Sequence, residues 1–175
     1  MKLKVATPAG DIVIDALRMD AVVARRAAKL IAQNIAGKRV SFAGIATPKA
    51  TPFFERCWRA CRTIPAGETR TYRWLATAAG SPLAIRAAGQ AMRRNPLPMI
   101  VPCHRVVAAN GLGGFSGSNN PRGKELKLKV WLLQREGWIQ GMQPIAKTKR
   151  FLLANMRKNR DATSKSRRIS ADRKR

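Results

Sequence analysis

Residues 71–95 read TYRWLATAAGSPLAIRAAGQAMRRN. Two helical patterns flank Gly80-Ser81-Pro82. Glycine is a good helix stop, serine a good N-cap, and proline fits a first helical position. The first pattern carries Leu75 and Ala79 at i and i+4. The second carries Arg86, Gln90 and Arg93 at i, i+4 and i+7, one polar stripe among alanines, Gly89 and Met92. Two helices joined by a tight glycine-containing turn predict a helix-turn-helix. Spacing alone leaves two readings open: a nucleic-acid reader whose small residues allow close approach, or two core helices with a solvated basic face.

The flanking segments extend this frame. Asn95-Pro-Leu-Pro98 breaks the second helix, because proline lacks an N–H and restricts its predecessor. Met99–Val101 predicts a brief buried extended run, followed by Pro102-Cys-His-Arg-Val106 and a glycine-rich loop over residues 110–117. The polar stretch SNNPRGKELK then leads into a helix over about residues 124–135, with Leu126, Val130, Trp131 and Leu133 as apolar members and Gly137 as its cap. Upstream, Thr51-Pro52 opens a helix that places Phe53, Phe54, Cys57, Trp58 and Cys61 at helical spacing. Residues 3–14 read as two short strands about Pro-Ala-Gly-Asp, and residues 20–35 as a helix stopped near Gly37. The predicted fold class is α+β. A short α/β region (1–50) precedes a mainly helical domain with the helix-turn-helix (51–140), and a basic, mostly disordered tail (141–175) follows.

Charge narrows the partners. The chain sets 35 lysines and arginines against nine acidic residues, a formal net charge of +26 over 175 residues. Such a surface attracts polyanions, nucleic acid before an anionic membrane. The tail runs KTKR, MRKNR and KSRRISADRKR would bind phosphate backbones without reading sequence, although a solvated end or a targeting address fits them too. A hydrophobic fraction of 45% excludes a wholly disordered chain. No apolar run approaches the roughly 18 residues of a membrane span, and MKLKVATPAGD holds no apolar signal core. A cytoplasmic setting is expected, or a nuclear one in a eukaryote, with the three cysteines reduced. One histidine excludes multi-histidine metal sites. Cys57, Cys61, Cys103 and His104 would suffice in number for zinc, but their spacing is unlike a zinc ribbon or finger, and no metal is expected.

Cys103 stands next to the only histidine. A free thiol has a pKa of about 8.5, so a neighbouring base or cation is needed to make it nucleophilic at neutral pH. His104 and Arg105 are both candidates. Adjacent residues of an extended segment point to opposite sides, so the dipeptide alone favours a buried, inert cysteine. The flanking prolines favour a site, because they fix the backbone.

The segment NPLPMIVPCHRV, residues 95–106, closely resembles the active-site segment of the O6-alkylguanine-DNA alkyltransferases, the methylated-DNA–protein-cysteine methyltransferases. The resemblance continues through TPFFERCWRACRTIPAGETRTYRWLA, AIRAAGQAMRRNP, GLGGFSG and KVWLLQREG, in order, over about residues 51–137. It implies that Cys103 accepts the alkyl group and that His104 acts as its general base through a water. It implies that Glu136 orients that histidine, that Asn95 holds the turn and that Tyr72 assists at the flipped base. Arg86 resembles the residue filling the stack, on a helix whose Gln90 and Arg93 share its DNA-facing stripe. Ser116 resembles the hydrogen-bonding residue near O6, and the carbonyls of Cys103 and Val106 resemble acceptors for the guanine amine. Phe115 stands where a tyrosine is common.

The implied function is stoichiometric repair of O6-alkylguanine in double-stranded DNA by a monomer, with no cofactor and no membrane partner. Besides Phe115, four features depart from the family pattern: a trimmed N-terminal region, no Cys or His before Cys57 where some members have zinc ligands, a longer segment over residues 118–127, and the basic tail. Two other readings remain, a lesion binder without catalysis and a DNA-architectural protein.

Overall fold

The chain opens with an antiparallel hairpin in the computed structural model, which describes residues 2–138 apart from 117, 119 and 121. The tail expected over 141–175 lies outside the described residues. Strand β1 (Lys2–Val5) pairs with β2 (Ile12–Asp15) in a register that sets Leu3 opposite Ile14 and Val5 opposite Ile12. Side-chain alternation therefore turns one apolar row inward, with Val5, Ile12 and Ile14 buried and Val13 outside. Helix α1 (Ala21–Ile35) starts where Asp20 Oδ1 accepts from the N–H groups of Val22 (2.8 Å) and Val23 (3.2 Å). It buries Ala24, Ala27 and Ile31, one stripe at helical spacing.

Helix α2 (Pro52–Arg62) is the central strut. Pro52 occupies the first helical position, as its missing N–H allows. Cys57, Trp58 and Cys61 are buried, and Trp58 Nε1 donates to the Ala91 carbonyl at 2.9 Å. On its other side, Arg62 donates to the carbonyls of Ile45 (2.8 Å) and Phe42 (3.1 Å) and so anchors the irregular segment after α1. Two-residue strands β3 (Arg70–Thr71) and β4 (Val106–Val107) pair in parallel. Helices α3 (Tyr72–Ala78) and α4 (Ile85–Arg93) form the helix-turn-helix, and α5 (Lys124–Arg135) closes the described part. One buried cluster joins Ile12, Ile14 and Ile31 to Trp58, Leu75, Leu97 and Leu132. Among the described residues the architecture is α+β, mainly helical, with two small sheets.

Three local expectations differ from the structure. The second helix begins at Ile85 rather than at Pro82. Ser81 belongs to the stop of α3: its N–H donates to Ala76 O and that of Gly80 to Thr77 O, both at 2.9 Å, with Gly80 at φ +75°. Ser81–Ala84 then forms a turn that leaves Leu83 97% exposed. Residues 99–101 are a turn rather than an extended run, with Met99 at φ +69° and the Val101 N–H donating to Leu97 O at 2.9 Å. Residues Cys103–Arg105 make one 3-10 turn, so Cys103 and His104 do not alternate across an extended strand.

Trp58 fills the middle of the core at 1% exposure and satisfies a carbonyl of α4. Truncation to alanine removes both contributions. Trp58→Ala is expected to destabilise the fold by about 3–5 kcal/mol, read as a lower midpoint in urea unfolding. An unchanged midpoint would contradict the role given to α2.

Candidate active site

Cys103 opens onto a cleft of about 500 Å³. Tyr72 lines it from the start of α3, Arg86, Gln90 and Arg93 from α4, and Phe115 and Ser116 from the glycine-rich loop. The three α4 side chains are exposed, while Ala88, Ala91 and Met92 on the opposite face are buried, so the polar stripe faces outward along the cleft. Phe115 is held by paired backbone bonds with Ser118, both 2.9 Å, and Ser116 sits at φ +50°. Gly113 lies so close to Tyr72 that a Cβ there would come within 3.4 Å of its ring. Burial pushes the Tyr72 hydroxyl up to about 12, so the phenol stays neutral and able to donate.

Asn95 joins the two limbs of the turn leading to the cysteine. Its Nδ2 donates to Val101 O at 2.8 Å and to Cys103 Sγ at 3.2 Å, and its Oδ1 accepts from the Leu97 N–H at 3.0 Å. Burial pushes the Cys103 thiol up; the Asn95 hydrogen bond and then the Lys129 ammonium pull it back.

His104 is 1% exposed, and its Nε2 lies 2.9 Å from Glu136 Oε1. The same carboxylate takes two bonds from Arg105, Nη2 to Oε1 at 2.7 Å and Nε to Oε2 at 2.9 Å. Burial alone would raise the Glu136 carboxyl, but the hydrogen bonds from His104 and Arg105 outweigh it and hold it at about 2. An anionic Glu136 keeps the proton on His104 Nε2, which leaves the lone pair on Nδ1. That atom is buried and has no hydrogen-bond partner among the described residues. Burial lowers the histidine pKa against the pull of Glu136, so the ring is neutral with Nδ1 as a base.

Val106 is the one predicted contact residue placed elsewhere. It is fully buried, does not line the cleft, and its carbonyl accepts from Lys129 Nζ at 2.7 Å. Arg105, a candidate cation for the cysteine, is committed to Glu136 and to Ile64 O at 2.6 Å. Lys129 escaped the sequence reading, although it lies three residues after Leu126 and four before Leu133 on the face marked as apolar.

The Glu136 shift makes stability depend on acid. A carboxyl held at about 2 when folded contributes stability above its usual range near 4.5 and loses it as pH falls toward about 2. Wild type should therefore exceed Glu136→Gln in unfolding free energy at neutral pH. The gap should narrow as pH is lowered from about 4.5, measured by urea titration at each pH. A gap that stays constant would contradict the ionised carboxylate.

The chain is similar to known proteins. Residues 52–138 match the family model described as 6-O-methylguanine DNA methyltransferase, DNA binding domain. The chain is 44% identical over 105 residues to the constitutive methylated-DNA–protein-cysteine methyltransferase of Bacillus subtilis, covering 59% of this chain and 60% of that protein. It is 42% identical over 114 residues to the methylated-DNA–protein-cysteine methyltransferase of Methanosarcina acetivorans, covering 65% and 69%. The crystal structure of the Mycobacterium tuberculosis O6-methylguanine methyltransferase superposes with a TM-score of 0.59 at 28% identity, covering 82% of this chain and 96% of that one. The same organism's protein in complex with DNA gives 0.51 at 30%, covering 76% and 90%. On these matches the chain is a member of the 6-O-methylguanine DNA methyltransferase family.

Proposed function

We propose that this protein repairs DNA by moving an alkyl group from O6 of guanine in a duplex to Cys103, once per molecule. The observation that carries the reading is the single cleft shared by Cys103 and the exposed Arg86–Gln90–Arg93 face of the helix-turn-helix. The relatives' names and the DNA complex of the Mycobacterium tuberculosis protein support it.

The alkyl carbon is buried in a stacked duplex, so the base is extruded first, at a cost of a few kcal/mol. Arg86 stands at the cleft mouth to occupy the vacated stack, and the small residues beside it admit α4 to a narrow groove. Gln90 and Arg93 hold the flanking backbone. Phe115 and Ser116 close on the base, Ser116 offering a hydroxyl near O6.

The Cys103 proton passes to His104 Nδ1 through a bridging water, and Glu136 stabilises the resulting imidazolium. Asn95 donates to the developing thiolate. Sulfur forms its bond to the alkyl carbon as the carbon–O6 bond breaks, and the electron pair stays on guanine. Tyr72 donates toward the departing base, and in net terms the thiol proton is the one guanine regains. The product thioether is not released by thiol exchange, so turnover ends there. One molecule suffices for one lesion, so the acting form is taken as a monomer on double-stranded DNA.

The test is intact mass after mixing with a duplex containing one O6-methylguanine. Wild type should gain one CH2 unit and saturate at one per chain, and Cys103→Ala should gain none. Arg86→Ala should reach the same endpoint about tenfold more slowly, a small part of the extrusion cost. Tight lesion binding without any mass gain would replace this reading with that of a lesion-binding protein.

A further inference from the structure

Leu83 is the most exposed large apolar side chain among the described residues; Val13, Leu17 and Val22 are exposed too, all in the N-terminal region. A single exposed leucine is ordinary on a protein surface, so its place decides its meaning. Leu83 stands in the turn between α3 and α4, where the Ala84 N–H donates to Ser81 O at 2.9 Å. Pro82 beside it is exposed as well. Leu83, Arg86, Gln90 and Arg93 follow one another at i, i+3, i+7 and i+10. The outward row of α4 is therefore continued, three residues before Arg86, by an apolar residue.

The turn is held from behind. Arg56 of α2 donates its Nε to Ala79 O, the end of α3, at 2.7 Å, and its Cζ lies 5.8 Å from the centroid of the Phe53 ring. Trp58 of the same helix holds the Ala91 carbonyl near the far end of α4. Both sides of the turn are thus pinned to one strut, and Leu83 is presented at a fixed place. Almost none of its surface is covered by the chain, so burial within the fold does not account for an apolar residue there. Leu83 does not line the cleft, so what it meets lies beside the extruded base.

We infer that Leu83 is a further DNA-contact residue: it enters the groove that receives α4 and packs on the deoxyriboses and base edges beside the site of extrusion. The inference rests on the repair reading, which turns this face of α4 toward duplex DNA. Ala84, Ala87 and Gly89 let the backbone of α4 come close to a narrow groove. Proteins that bind there frequently set apolar side chains against or between base steps. The arginines of the row attract phosphates, an attraction that weakens as salt rises. An apolar contact adds buried area without releasing counterions, so it raises affinity and leaves the salt dependence alone. Leu83 and Arg93 therefore act by separable physics.

The experiment measures binding of the full chain to two duplexes of one sequence, unmodified and with a single O6-methylguanine, by fluorescence anisotropy over a series of salt concentrations. Methyl transfer is followed in parallel by intact mass. Leu83→Ala should bind both duplexes about tenfold more weakly than wild type, with the same slope of log affinity against log salt. Arg93→Ala should make that slope shallower by about one. Leu83→Met restores the apolar volume and should recover most of the affinity. In transfer, the cost of Leu83→Ala should fall on the duplex concentration that gives half the maximal rate, and not on the rate at saturation. Wild-type affinity in Leu83→Ala overturns the inference. So does a shallower slope, which would make the loss one of phosphate contact. Self-association of wild type without DNA that Leu83→Ala abolishes also overturns it, because Leu83 is then a contact between copies. Weaker binding of both duplexes by Leu83→Ala, with no mass gain in wild type, would keep Leu83 as a DNA contact and reject the repair reading instead.

Discussion

The Glu136 carboxylate is the point at which three parts of the chain meet. It follows α5, receives His104 and Arg105 from the turn that carries the cysteine, and lies 3.5 Å from the N–H of Gly67 in the loop after α2. Gly67 has φ +82°, and a Cβ there would fall 2.8 Å from the Glu136 carbonyl oxygen, so only glycine lets that loop close in. The ion pair with Arg105 is largely buried, where breaking one partner strands the other charge. Neutralising this one group would free Arg105, unfix the histidine tautomer and loosen the end of α5 together. The orientation of the histidine beside Cys103 and the docking of the last helix therefore share one constraint.

Much of the fold was legible because its signals are local. Asp20 before α1, Pro52 at the head of α2 and Gly37 after α1 act within one helical turn, and each helix stands where those residues put it. The failures were local conflicts. Ser81-Pro82 carries a start signal, yet Gly80 and Ser81 are already used in closing α3, and a backbone N–H bonded to Ala76 O is part of the preceding helix. The run Met99–Val101 is apolar and buried as expected, but the Asn95 amide and two prolines bend it into a turn that period-two reasoning does not see.

The site was legible in a different way. Motif resemblance picked out Cys103, His104, Asn95 and Glu136, and the structure brings Asn95 within 3.2 Å of the sulfur and Glu136 within 2.9 Å of the histidine. Spacing alone could not have joined Glu136 to His104, because 32 residues separate them and the contact depends on how α5 packs. Lys129 was missed for the opposite reason: in so basic a chain a lysine carries no signal as a residue type, and only its place on an apolar stripe marks it.

The N-terminal hairpin bears on the site through the backbone. The Asp15 N–H at the end of β2 donates to Pro96 O at 3.0 Å, at the base of the turn that Asn95 organises. Ile12 and Ile14 on the same strand enter the core cluster that holds Leu97. A proline ring cannot donate, so Pro96 offers only its carbonyl, and the strand edge supplies the matching N–H. A hairpin of two four-residue strands is marginal by itself and gains its order from α1 and this core. In return it satisfies and buries the far side of the Asn95 turn. A thiol held by an amide 3.2 Å away tolerates little displacement of that turn. So the short region before α2 contributes to the rigidity of a site to which it gives no lining side chain.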